Sequence, residues 1–389
     1  MRRLCPRRTK PWEIPARSHS VEYPGRLVQM QISFPSRVRA CLMGGALGDS
    51  FGYLVETDDL ATIQRNFGPA GLLDLSQVPG AVHFSDDTQL TLYTADGLTE
   101  VLDWAKQGIA ADPTACLWLG YLRWLRTQGE QLPEEAPTPP LRWIDQQEVL
   151  QHRRHPGNAC LTSLKTGAIG TLSRPINREA KGCGTVMSSA PFGLIPHIDA
   201  GLAARMSMDG AALTHGHPIA IQASAAFSWL IHQLAVVELS LGDAADSMLE
   251  YLESIPAEAG LLAAVQNAVV LSRADLDSGR VRTGNELNDA LGDGWVAEEA
   301  LSLALYAAIV SGSHEAGNSP TAHFLSSIRI AANHRGDSDS TAAIAGNIIG
   351  ARYGIQCLPE GWLRLCEAPE LIYAVADALL DACSVEPAS

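Results

Sequence analysis

Apolar positions along most of the chain recur at helical spacing. Leu90, Tyr93, Gly97, Leu98 and Val101 stand at i, i+3, i+7, i+8 and i+11, and Leu117, Tyr121, Leu122 and Leu125 repeat the theme. Both are the stripe of an amphipathic helix. Small and apolar residues over 37–50 predict another, tightly packed helix. Further helices are predicted over roughly 200–212, 218–238, 243–254, 258–273, 297–311, 320–332, 340–352 and 369–383. The alternation that marks strands is almost absent, and no repeat period suggests a solenoid.

Two segments break the pattern. Residues 1–36 hold Pro6, Pro11, Pro15, Pro24 and Pro35, which forbid a long helix and predict a non-helical N-terminal arm. Trp12, Ile14, Tyr23, Leu27 and Val28 could still dock it on a surface, and Met30 is an alternative initiator. Residues 129–143 are rich in Pro and Glu and predict an exposed loop. No linker divides residues 37–389, so the expectation is one compact all-α domain over that span.

Composition agrees with that picture. Hydrophobic residues make up 46% and charged residues 18% of the 389 positions, enough for a substantial core. The net charge of −15 argues against nucleic-acid binding through phosphates. It is unevenly spread: residues 1–39 carry nine Arg and Lys against two acids, a net of +7, which leaves −22 for the rest. The most apolar run, 219–237, is interrupted by Gln222, His232 and Gln233, so it reads as a core helix and no membrane span is expected. Eight cysteines without a Cys-x-x-Cys spacing read as reduced thiols of a cytoplasmic protein, and the N-terminus lacks the apolar stretch of a signal peptide.

The candidate chemistry lies in two acidic clusters some 250 residues apart, Ser85-Asp86-Asp87-Thr88 and Gly336-Asp337-Ser338-Asp339-Ser340. Each crowds hydroxyl and carboxylate oxygens where a helix begins. Capping explains either cluster alone, because Ser and Asp accept the orphan N–H groups of a first turn. Two clusters of one design also suit a hard divalent cation, since all-oxygen ligation selects Mg²⁺, Mn²⁺ or Ca²⁺ over zinc. Between them lies a glycine-containing turn, Lys181-Gly182-Cys183-Gly184-Thr185-Val186-Met187, which lets backbone N–H groups approach a phosphate or ribose. Cys183 reads as packing rather than a nucleophile, and Thr214-His215-Gly216-His217-Pro218 as a capping turn rather than a zinc site.

Taken together, Gly44-Gly45-Ala46-Leu47-Gly48-Asp49-Ser50-Phe51-Gly52, Phe84-Ser85-Asp86-Asp87-Thr88, Gly182-Cys183-Gly184-Thr185-Val186-Met187, Thr214-His215 and Asn333-His334-Arg335-Gly336-Asp337-Ser338-Asp339-Ser340 resemble, in this order, the ADP-ribosylglycohydrolases. The resemblance runs from about 37 to 365. It implies a compact all-α fold with two Mg²⁺ (or Mn²⁺) ions under an ADP-ribose cleft. Ser85, Asp86 and Asp87 then correspond to one set of metal ligands, and Asp337, Asp339 and Ser340 to the other. Asp87 and Asp339 fall at catalytic positions, and Glu56 matches an acidic residue near the entrance. Gly184, Val186, Met187 and His215 correspond to the ribose and phosphate pocket. Arg335 stands where relatives commonly place a small residue, close enough in sequence to pair with a substrate phosphate or Asp337. Ser188 replaces an Arg often found after Met.

The implied activity is hydrolysis of the glycosidic bond of an ADP-ribosylated protein, with ADP-ribosyl-arginine first and ADP-ribosyl-serine or free ADP-ribose derivatives open. A second expectation is an immunity protein whose basic arm, 1–36, binds an ADP-ribosyltransferase toxin. A third, from the acidic clusters alone, is a Mg²⁺-dependent phosphohydrolase.

Overall fold

The computed structural model describes residues 32–314 and 319–384, and residues 32 onward gather into one unit. Its helices are α1 (Phe34–Gly52), α2 (Leu60–Phe67), α3 (Asp86–Lys106), α4 (Pro113–Thr127), α5 (Asn158–Leu164), α6 (Ala200–Ala211), α7 (Pro218–Ala235) and α8 (Leu241–Ser254). They continue as α9 (Ala259–Ser278), α10 (Gly284–Leu291), α11 (Ala297–Val310), α12 (Pro320–Ala332), α13 (Ser338–Tyr353), α14 (Glu360–Leu365) and α15 (Pro369–Cys383). Among the described residues there are isolated β-bridges but no strand. No helix there is long and apolar enough to cross a membrane. Seven cysteines in this region are free thiols.

Side-chain caps and prolines set many of the helix starts. Asp112 accepts a hydrogen bond from Thr114 N before Pro113 opens α4, Asp199 caps α6, and His217 caps α7 ahead of Pro218. Pro35 works the same way. It sits in the first turn of α1, where no N–H is required, so the helix begins at Phe34 rather than at 37. The toxin-binding expectation for the arm 1–36 falls mostly on residues 1–31, which lie outside the described residues. Residues 129–142 form no helix, as their prolines predicted.

The centre of the fold is an antiparallel pairing of α1 with α13 in which the two backbones nearly touch. A methyl group placed on Gly48 would lie 2.1 Å from Ala342 O, one on Gly52 2.1 Å from Ser338 O, and one on Gly346 2.0 Å from Gly44 O. At the far end Gly350 faces Ala40 O in the same way. Only hydrogen fits at these positions. Asn347 locks the seam by donating to Cys41 O at 2.7 Å. The consequence for the site is direct, because the seam sets the start of α13, and with it the second acidic cluster, against the end of α1.

Candidate active site

The same helix fixes the first cluster. Asp49, fully buried on α1, accepts hydrogen bonds from Ser85 N and Thr88 N, each at 3.0 Å, and from the Thr88 hydroxyl. Burial raises its pKa to about 6, against the pull of those donors. Asp49 therefore acts as a clamp across the first turn of α3. Ser85 is the N-cap of that helix, its Oγ accepting from Asp87 N at 3.1 Å, which fixes the first turn from which Asp86 and Asp87 reach the cavity.

The clusters meet. Ser340 Oγ donates to Asp87 Oδ2 at 2.7 Å, joining residues 253 apart in sequence. Asp86 Oδ2 accepts from Gly157 N at 3.1 Å, and Asp337 Oδ2 accepts from the Cys183 thiol at 2.8 Å. Glu56, Asp86, Asp87, Asp337, Asp339 and Ser340 all line one cavity of about 370 Å³. Asp86, Asp87 and Asp339 have pKa values well above the carboxylate range, first because they are buried and then because neighbouring carboxylates repel their charge. Glu56 is raised for the same reasons, although His155 Nδ1 at 3.4 Å opposes the shift.

The adjoining wall comes from the glycine-containing turn, where Gly182, Cys183, Gly184 and Met187 line the cavity together with His215 and Cys160 from elsewhere in the chain. Gly184 lies so close to the imidazole that an added methyl group would sit 2.9 Å from His215 Cε1. His215 is buried, which lowers its pKa to about 4, so its ring is neutral. Burial and the carboxylate of Asp337 push the Cys183 thiol well above its ordinary value, leaving it a hydrogen-bond donor and not a nucleophile.

Three of the candidate ligand and pocket residues, together with Ser188, do not line this cavity. Val186 is 0% exposed and packs in the hydrophobic core. Ser85 spends its oxygen on the cap. Arg335 turns outward to Asp293 Oδ1 and Asp289 Oδ1, both at 3.1 Å, and reaches neither the cavity nor Asp337. Other lining residues went unread. His155 stands at the rim with its backbone in the left-handed region (φ 53°) and its ring edge-on to Tyr53. Trp295 is half exposed on a strap pinned at both ends, by Asp337 N to Asp293 O at 2.9 Å and by Cys183 N to Trp295 O at 3.2 Å. Its visible signal was the Gly292-Asp293-Gly294 turn in front of an aromatic residue.

The donors at the floor are mainly oxygens whose negative charge is poorly compensated, which is the chemistry a hard divalent cation takes up. Among the described residues no group of three or more His, Cys, Asp or Glu side chains is placed to hold an ion unaided. A cation here would complete its shell with water or substrate oxygens, as Mg²⁺ commonly does.

The ADP-ribosylglycohydrolase profile matches residues 30–388. An uncharacterized protein of Archaeoglobus fulgidus is 27% identical over 358 residues, covering 89% of this chain and 96% of its own. A solved structure described as an ADP-ribosylglycohydrolase-related protein complex superposes with a TM-score of 0.58 at 22% identity, over 90% of this chain and 99% of its own, a likeness of fold.

Proposed function

The chain belongs to the ADP-ribosylglycohydrolase family, and from that premise we propose that it hydrolyses the N-glycosidic bond of ADP-ribosyl-arginine on a protein, reversing mono-ADP-ribosylation. The observation that carries this reading is the convergence of both acidic clusters, through Ser340 Oγ and Asp87 Oδ2, at the floor of one cavity.

Two divalent cations, Mg²⁺ or Mn²⁺, would be held from one side by Asp86 and Asp87 and from the other by Asp337, Asp339 and Ser340, with Ser85 shaping the first set. When bound they supply Lewis-acid chemistry toward the distal ribose hydroxyls. The chain's own groups do the rest. Asp87 and Asp339 orient a water toward the anomeric carbon as the bond to the guanidine breaks through an oxocarbenium-like transition state. Glu56, whose pKa is raised, holds a proton at the mouth for the leaving nitrogen. The neutral His215 ring and the N–H groups around Gly184 face the ribose and phosphates, and Trp295 offers a flat face for a base. No covalent intermediate on Cys183 is drawn, because its thiol is held protonated.

Incubating the protein with ADP-ribosyl-arginine and ADP-ribosyl-serine peptides, with Mg²⁺ or with EDTA, tests the reading. The expected result is Mg²⁺-dependent release of ADP-ribose from the arginine peptide, reduced at least about a hundredfold in Asp87→Asn or Asp339→Asn. Undiminished release in EDTA or in both variants rejects the mechanism. Release from the serine peptide alone reassigns the linkage.

A further inference from the structure

Away from the acidic cavity, α2, the turn after it, the start of α10 and the end of α12 enclose a second cavity of about 400 Å³. Its wall is largely apolar, with Leu60, Pro69, Leu73 and Ile330. One charged group lines it, Arg329 of α12. Arg329 Nε donates to Leu73 O at 2.7 Å, which fixes the plane of the guanidinium. Its two terminal nitrogens have no hydrogen-bond acceptor among the described residues.

The neighbouring groups are already committed. Asp74 acts on Arg329 only through space, its own oxygens taken by Ser76 and by Trp362 Nε1 at 3.0 Å. The amide of Asn333 is used up on Leu72 N and O, at 2.7 and 2.8 Å. Burial lowers the pKa of Arg329, as expected of a partly desolvated cation without a counter-ion in contact.

We propose that this cavity is a binding site for a small organic anion. Its carboxylate or phosphate head pairs with the terminal nitrogens of Arg329, and its compact apolar body lies against Leu60, Pro69 and Ile330. The guanidinium fork matches either oxyanion in bidentate fashion, and the volume is at the small end of ligand pockets. A chain of net charge −15 repels anions in general, so the apolar contacts are needed as well as the fork. Inorganic phosphate, which has no apolar body, does not saturate the site.

Isothermal titration of the full-length chain with phenyl phosphate, benzoate, inorganic phosphate and benzyl alcohol tests the proposal. Saturable binding of phenyl phosphate or benzoate is expected, and which of them binds tells phosphate from carboxylate. Benzyl alcohol should bind at least roughly tenfold more weakly, the scale of a lost charge-assisted hydrogen bond. Arg329→Gln should lower the affinity by a similar factor. Leu60→Trp, which narrows the cavity, should do the same, with its melting temperature as the control for folding, and decides the matter if Arg329→Gln unfolds. Absence of saturable binding by both organic anions overturns the proposal. So does equal binding of benzyl alcohol, or affinity that survives in both variants.

Discussion

A methyl group on Gly336 would lie 1.7 Å from Asp293 O, the same carbonyl that accepts from Asp337 N. The second cluster can thus approach the Trp295 strap only through a residue without a side chain. Gly336→Ala is expected to push Asp337 out of register and to cost at least about 1–3 kcal/mol of stability by overpacking, with loss of ADP-ribose release. Its neighbour supplies the contrast. Arg335 is 41% exposed and its two pairs lie at the surface, so Arg335→Ala should leave both the melting temperature and turnover nearly unchanged. Thermal melts and initial rates on both variants check the pair. The two acidic clusters were legible because their oxygens stand consecutively in the chain. Asp49 was visible only as part of a glycine-rich motif, and its role as a clamp arises from contacts with residues 85 and 88. Arg335 misled for the same reason, since adjacency in sequence to Asp337 says nothing about which way a side chain turns.

At the level of elements, long helices were readable and short ones were not. α3, α4, α7 and α13 carry enough turns for a periodic stripe, and their starts bear Ser, Asp or Pro. α2, α5, α10 and α14 span eight residues or fewer, too few for periodicity to separate them from turns, and tertiary packing is what sustains them. The α1–α13 seam was foreshadowed by small residues over 37–50, but its partner could not be chosen from sequence. Gly48→Ala is expected to force the two helices apart at Ala342 O and to lower the melting temperature markedly, by about 2 kcal/mol or more of stability. The matched change at an open position, Gly361→Ala, has nothing within 4 Å of the added methyl and should be neutral or stabilising. Equal melting temperatures for the two variants would refute the seam.

Across the whole molecule, Arg154 gathers three remote stretches of chain. Its guanidinium donates to Phe84 O at 2.8 Å and to both oxygens of Glu367, it lies over the Phe84 ring, and its own carbonyl accepts from Asp86 N. Burial pushes the Glu367 carboxyl up, but Arg154 and His83 outweigh it and hold the pKa below the ordinary range. A depressed folded-state pKa adds stability at pH values above the unfolded one, and that stability is lost as pH falls through the folded value. Melting temperature should therefore drop on acidification through and below the ordinary glutamate value, and Glu367→Gln should lower it at pH 7 while flattening that acid limb. An unchanged acid limb in Glu367→Gln would count against the pair. None of this was readable beforehand, since residues 84, 154 and 367 share no motif.

The seam also bears on how the protein is made. Cys41 and Asn347 are 306 residues apart, so α1 leaves the ribosome long before α13 exists, and its glycine face has no partner through most of synthesis. Contacts of such span place the closing step last and make folding slow, because the entropy of the large loop is lost before the contact forms. A chain halted anywhere before residue 337 lacks half of the cavity floor however well its earlier helices have set. On this fold the two faces of the cavity cannot meet until residues 337–340 have emerged, because Ser340 is what joins them through Asp87.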